Sequence, residues 1–488
     1  MKRFFPIILS GLLLAGCSDS PQNATKLDQQ PKIYPDYIGV TIPAEIAPLN
    51  FNFLGGEYSM LDLVIRGSKG GELHTSGKTI DIDIDDWHEL TKANVGGTLE
   101  CVLSVKVDGE WKEYKSFEMA VSPFALDEWG VTYRRIAPGY MLFGKMGLYQ
   151  RNLSNFDEYT ILDNEEVPGA CMNCHTSNRT NPDNFTFHIR GANGATIVQS
   201  NGKHDCLDTK TDKTLGTCVY PYWHPSGKYI AFSTNSTHQA FHSVRSKLVE
   251  VYDEGSDLQI YDVEKKELII SPLVKTKDWM ESYPTFSPDG KTIYFCTAFQ
   301  EEIPDGLKNI KYNICKIDFD PVKGEFGNKV DTIFDARKMG KSAVHPRPSY
   351  DGKYLMFTVC DYGCFPIWHK EADQWIMDLA SGDVRPMTEA NSDDSDSFHN
   401  WNVNSHWIVF TSRRDDGQFT RLYLCSVDNK GNISKPFMMP QRNPLDYYQN
   451  MMQAYNTPDF TAKPVEFDHV NGAKEILSNK RDKIKVKE

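Results

Sequence analysis

Trp223-His224-Pro225-Ser226-Gly227-Lys228-Tyr229-Ile230-Ala231-Phe232 is a polar turn closed by Gly-Lys and followed at once by an apolar run. The pattern returns as Phe286-Ser287-Pro288-Asp289-Gly290-Lys291-Thr292-Ile293-Tyr294-Phe295 and as Pro348-Ser349-Tyr350-Asp351-Gly352-Lys353-Tyr354-Leu355-Met356-Phe357. The turn glycines stand at 227, 290 and 352, spaced by 63 and 62 residues. Trp401-Asn402-Val403-Asn404-Ser405-His406-Trp407-Ile408-Val409-Phe410 is a degenerate fourth copy. Further strand patterns fall between the copies, as in Leu258-Gln259-Ile260-Tyr261-Asp262-Val263 and Trp375-Ile376-Met377-Asp378-Leu379. A lone unit of this kind cannot bury its faces, whereas a closed ring of units can. The pattern predicts a mainly β chain with a propeller over 184–450 and a C-terminal extension over 451–488. The basic end from Lys480 to Lys487 reads as frayed.

Upstream of the repeats lies Gly169-Ala170-Cys171-Met172-Asn173-Cys174-His175, which contains Cys-x-x-Cys-His, the attachment motif of c-type haem. In this reading Cys171 and Cys174 form thioethers to one covalent haem c, and His175 is the proximal iron ligand. The alternatives are a structural disulfide, a redox dithiol or half a zinc site; no second Cys-x-x-Cys supplies a second ligand pair. His188, 13 residues after His175, is a candidate distal ligand. His204, His224, Met280 and His345 are others if the propeller rim covers the iron. Residues 123–183 read as a connector carrying the haem segment, in which Arg134, Arg135 or Arg151 could pair a propionate. Residues 33–122 show short strands separated by Lys69-Gly70-Gly71, Gly96-Gly97 and Asp108-Gly109, which fits an immunoglobulin-like β-sandwich. Ile80-Asp81-Ile82-Asp83-Ile84 alternates strictly, as a strand would.

The first residues set the compartment. Lys2 and Arg3 precede an apolar run from Phe4 to Leu14, too short to span a bilayer, and Leu14-Ala15-Gly16-Cys17 reads as a lipobox. Residues 1–16 are thus expected to be a lipoprotein signal peptide, with Cys17 acylated and 17–32 a flexible tether. The expected location is an outer-membrane lipoprotein on the periplasmic or cell-surface face. Both motifs demand an extracytoplasmic setting. The formal charge is −13, with no basic stripe, which argues against nucleic acid. Of 11 cysteines, Cys206 with Cys218 and Cys360 with Cys364 could close short loops, and Cys296 and Cys315 flank one hairpin.

His224, His345 and His399 fall at or near blade turns, with Arg347, Arg413 and Arg414 close in sequence. A propeller gathers such positions around its funnel, where they could bind an anionic group or a peptide end; hydrogen bonding within the blade turns is the plainer account of each alone. Asp393-Asp394-Ser395-Asp396 reads as a solvated acidic loop.

The repeats resemble the TolB-like propeller, whose common core is Ser-Pro-Asp-Gly-Lys; the resemblance implies about six blades. Tyr34-Pro35-Asp36-Tyr37, Ile42 to Phe51, Cys171 to His175, Phe187-His188-Ile189-Arg190-Gly191, Ser412 to Gly417, Lys435-Pro436-Phe437 and Tyr455 to Phe460 resemble a Bacteroidetes lipoprotein family. Its members join an N-terminal β domain, one Cys-x-x-Cys-His and a TolB-like propeller, and are labelled cytochrome c-like or cytochrome c biosynthesis-like. The resemblance implies a haem-bearing electron carrier with a redox or envelope protein partner. The alternative is a propeller that binds or scaffolds an envelope protein or polymer, with the haem sensory, structural or absent. No Ser-His-Asp series, phosphate loop or paired-carboxylate motif is identifiable, so a carrier or binding protein is favoured over an enzyme.

Overall fold

A computed structural model describes residues 20–137, 144–244 and 247–487. The expected signal segment 1–16 and the expected acylation position Cys17 lie outside the described residues. Six sheets stand around one axis, and blade numbers here follow the ring. Blade 1 joins Gly130–Ile136, Met146–Asn152 and Glu158–Asp163 to the late strand Ala454–Thr461, which is innermost. The innermost strands of blades 2 to 6 are Cys171–Asn178, Cys218–Trp223, Trp279–Phe286, Ser342–Pro348 and Asp396–Trp401. Each packs against the next, and Ala454–Thr461 meets both Asp396–Trp401 and Cys171–Asn178, which closes the ring.

The connector expected over 123–183 is therefore mostly propeller: residues 130–163 build blade 1, and the haem motif opens the inner strand of blade 2. Nor is 451–488 an appendage. Beyond the closing strand and a helix, His469–Leu477, Asp482–Lys483 adds in parallel to the edge of blade 2 and Lys485–Val486 to the edge of blade 3. The basic end is ordered because its backbone completes two sheet edges, whatever its side-chain charge.

All six inner strands carry the same irregularity. The ladder slips by an extra residue at one point in each. There a non-glycine residue adopts left-handed backbone: Cys174, Tyr220, Tyr283, His345, Phe398 and Thr457, with φ between 46° and 58°. A bulge re-aims the side chain of its extra residue. Left-handed backbone costs an L-residue roughly 1–2 kcal/mol, so its sixfold repetition marks a property of the ring rather than a local accident.

In the N-terminal module Ile33–Tyr34 pairs with Asn52–Phe53 in a separate two-stranded sheet, and most strands join one mixed seven-stranded sheet. Met60–Gly67 and Thr98–Val107 lie at its centre, and Thr25–Lys26 and Thr41–Ile42 join it in parallel. This pairing does not establish the immunoglobulin-like sandwich expected over 33–122, and within the stretch expected as a tether, 17–32, Thr25–Lys26 pairs in parallel with Lys112–Glu113. The alternating stretch at 80–84 is no strand. Asp83 accepts hydrogen bonds from the backbone N–H groups of Asp85 and Asp86 and starts the helix Ile84–Ala93. Ile80 and Ile82 are still buried, which explains the misleading alternation. The module's core runs without a break into blade 6, and Glu128 binds the Asn402 amide and the Val403 N–H of that blade's turn.

All ten described cysteines are free thiols. Cys360 Sγ is directed at the Tyr362 carbonyl and Cys364 Sγ at Asp253, so this pair is not bridged. Cys206 and Cys218 belong to different blades. Cys315 stands opposite Phe295, and Cys296 opposite Ile314. Neighbours along a strand face opposite ways, and the two sulfurs enter different cores.

Candidate functional site

Two cavities lie along the channel, and Tyr220 borders both. The inner one, about 50 Å³, is lined by all six bulge residues together with His175, Arg347, His399 and Asp459. His175 is 5 % exposed and His345 4 %. Among the described residues no ring nitrogen of either finds a hydrogen-bond partner; the Thr132 backbone lies beside His175 without reaching that geometry. Burial pushes His175 down to about 4 and His345 well below the usual imidazole range, so both are neutral at pH 7. His399 is held at about 3 by burial and by Arg347, and its Nε2 donates to the His345 carbonyl at 3.0 Å. Asp459 accepts from Ser177 N at 3.0 Å, Thr176 Oγ1 at 3.2 Å and Asn400 Nδ2 at 2.8 Å, which ties blades 1, 2 and 6 together. Burial raises its carboxyl to about 7 despite these donors.

The outer cavity, about 310 Å³, opens at the end where the inner strands begin. Arg134, Arg190 and Arg413 enter it from the second strands of blades 1, 2 and 6, or just beyond them. Facing them are Val249 and Val251, on a hairpin arm formed where Tyr229–Val244 and Lys247–Asp262 outrun blade 3, and Phe365, Ile367 and Trp368 from blade 5. The arm is fastened by Glu250, which accepts from Tyr362 Oη at 2.8 Å and His369 Nε2 at 3.0 Å. Cys171 also lines this cavity, 3.2 Å from Arg134 Nη2.

The haem motif is therefore divided between the two spaces. Cys171 faces the outer cavity, whereas Cys174 and His175 face the inner one. The unpartnered His175 imidazole suits an iron ligand. The space does not suit a macrocycle: about 50 Å³ holds a water or two. Seating one haem on both thiols requires the two cavities to merge past Tyr220. As folded, the three residues do not present a single open face to the group.

His188 is buried in the second strand of blade 2 and lines neither cavity; its ring nitrogens meet Thr196 Oγ1 at 3.0 Å and Thr217 Oγ1 at 3.3 Å. His204 pairs with Glu475, and Met280 accepts from Tyr312. His224 binds Ser226 and the Gly290 carbonyl within the blade turns. Of the basic residues expected at the funnel, Arg347 reaches the inner cavity and Arg413 the outer, while Arg414 pairs with Asp396 at 2.7 Å. Arg135 is engaged by Glu158 at 2.7 Å and Arg151 by the Pro440 carbonyl. Only part of the acidic loop is solvated: Asp393 is exposed, whereas Asp394 and Asp396 are buried beside Arg413 and Arg414.

Tyr220, Tyr283 and Phe398 carry no motif that marks them as functional in the sequence. Tyr220, Tyr283 and His345 each stand seven residues before a turn glycine, and Phe398 seven before Ser405. That fixed offset is the sequence mark of the axial ring.

No protein-family model matches the chain, and no curated protein matches it. Solved structures similar to it include a protein of Agrobacterium tumefaciens assigned as a TolB, 14 % identical over 69 % of this chain and 99 % of that one, TM-score 0.36. A periplasmic gluconolactonase of Pseudomonas aeruginosa is 13 % identical over 68 % of this chain and 100 % of its own, TM-score 0.35. An oligogalacturonate lyase in complex with manganese is 11 % identical over 63 % and 74 %, TM-score 0.36.

Proposed function

We propose that this protein is an extracytoplasmic binding protein, tethered through Cys17, whose propeller takes a ligand in the outer cavity. The observation that carries the reading is that cavity: about 310 Å³ at the channel mouth, within the size of ligand sites, with an apolar wall and a few convergent polar groups. Below it, the hydrogen bonds to Asp459 hold blades 1, 2 and 6 of the ring together. Native mass spectrometry of the full chain after exposure to the small-molecule fraction of an envelope extract tests the reading. One bound species is expected, lost in Trp368→Ala. No bound species on the wild type, or equal retention by the variant, overturns it.

A second reading, electron transfer through a covalent haem c on Cys171 and Cys174, is favoured by the motif and by the unpartnered nitrogens of His175. Its partner would be a redox protein of the envelope. A pyridine haemochrome spectrum on protein matured with a c-type system decides it. A c-type band that disappears in Cys171→Ala/Cys174→Ala supports the haem; its absence beside a working positive control removes it.

A further inference from the structure

We infer that the occupant of the outer cavity is a small organic anion, a carboxylate or phosphate ester with a flat apolar body. This rests on the binding reading above and names its ligand class.

The inference follows from how charge is distributed at the mouth. The chain carries a formal charge of −13, yet the described residues lining this cavity include three arginines and no Asp or Glu. The three come from neighbouring blades 6, 1 and 2, each from the mouth end of its blade. Arg413 is 1 % exposed. One of its amino groups donates to the Gly417 carbonyl, but Nε and Nη1 have no hydrogen-bond partner among the described residues. The nearest carboxylate oxygen, on Asp394, is 3.8 Å from Nη1, beyond hydrogen-bond reach, and that carboxylate is shared with Lys370. Arg134 is 7 % exposed. Among the described residues its side-chain hydrogen bonds go to sulfur, Cys171 Sγ at 3.2 Å and Met146 Sδ at 3.8 Å, and its Nε has no partner. Arg190 meets the Tyr220 hydroxyl, and the thiols of Cys171 and Cys174 and the Asp253 carboxyl are within electrostatic range. Buried guanidinium groups short of acceptors are costly unless an anion completes them. Planar two-oxygen groups match their forked donors.

The remaining wall specifies the rest of the ligand. Val249, Val251, Phe365 and Ile367 offer no charge, and Trp368 presents its indole with the Arg413 guanidinium stacked at 3.9 Å. A ring continuing that stack would bring an attached carboxylate or phosphate toward the arginines. The cavity volume suits a small molecule of this kind and not a polymer threaded through the channel, because the inner cavity beyond it narrows to about 50 Å³.

The test uses anilinonaphthalene sulfonate, an anionic aromatic dye, on the full folded chain, with benzoate, phenyl phosphate, benzyl alcohol and benzylamine as competitors. Saturable one-to-one binding is expected, displaced by benzoate and phenyl phosphate and at least tenfold less well by the alcohol and the amine. Arg190→Gln, at the most accessible of the three arginines, should weaken dye binding tenfold or more, and Arg413→Lys should weaken it less than Arg413→Gln. Thermal unfolding of each variant identifies any that fails to fold, and Arg190→Gln keeps the test independent of the buried Arg413. If Trp368→Ala abolishes dye binding but benzyl alcohol competes as well as benzoate, the anion assignment is overturned and the binding site stands. If the dye does not bind, or binds unchanged in Trp368→Ala and Arg190→Gln alike, this proposal is overturned, and the envelope-extract experiment then decides separately whether the cavity binds anything.

Discussion

Asp459→Asn should change how the stability of the ring depends on pH. Asp459 is 3 % exposed and its carboxyl is raised to about 7 by burial, against an ordinary value near 3.9. Between those values the native state holds a proton that the unfolded chain has released. The native protein is therefore favoured at low pH, and this contribution is lost as pH rises through 7. A shift of about three units corresponds to on the order of 4 kcal/mol in full, and between pH 5 and pH 7 to roughly 1.4 kcal/mol per pH unit. Asparagine does not titrate and keeps the shape, so subtracting its stability removes the background of every other group. Urea unfolding of both proteins from pH 5 to pH 8 is the assay. The wild type should lose stability relative to Asp459→Asn by about 2–3 kcal/mol from pH 5 to pH 7 and level off above. A difference that stays constant across that range, or that grows in favour of the wild type with rising pH, refutes the reasoning. It would mean that the Ser177, Thr176, Asn400 and Arg347 partners hold the carboxylate ionised.

The turn glycines offer a graded test. A Cβ on Gly290, at φ 73°, would lie 2.0 Å from His224 Nε2, whereas at Gly352, at φ 74°, the nearest atom is 4.0 Å away. Gly352→Ala should cost only the left-handed penalty of about 1–2 kcal/mol, and Gly290→Ala visibly more, read as the difference in Tm; equal losses would contradict the packing described. Truncation after Asn479 removes both short edge strands and buried Ile484, and should lower stability by about 1.5–3 kcal/mol; an unchanged Tm would mean that the tail adds nothing to blades 2 and 3. Alkylation of unreduced, denatured protein should find Cys296 and Cys315 as thiols; a recovered crosslink between them would contradict the Phe295–Cys315 register.

Blades 3 to 6 were legible because each carries its turn beside an apolar run, and the turn imposes a fixed pattern on ten consecutive residues. Blades 1 and 2 were not. The inner strand of blade 1 lies more than 280 residues from its sheet partners, and no local pattern announces that pairing. In blade 2 the inner strand is spelled Cys171-Met172-Asn173-Cys174-His175, and its chemistry drew the eye from its place in the repeat. Cys174 and His175 occupy the positions held by Tyr220-Pro221, Tyr283-Pro284 and His345-Pro346 in the next three blades. The helix at 84–93 was hidden because Asp83 serves both an alternating pattern and an N-cap, and only the cap decides. Of the outer cavity, Arg134 and Arg413 were singled out but could not be joined. Residues from five blades, all but blade 4, meet there only once the ring is closed.

That closure has a consequence for how the chain is made. Thr132 meets Asp459, 327 residues later. While the protein is being synthesised, Gly130–Ile136 waits as a bare sheet edge through the building of five blades, and such edges invite wrong partners. Contacts of this separation are also the slowest to form. The ring cannot be finished in instalments. A chain cut short anywhere before the last strand is an open arc with its channel split along one side, lacking both the axial ring of bulges and the third carrier of the mouth's arginines in its proper place. Intactness of the final few dozen residues thus acts as a single checkpoint on the whole molecule.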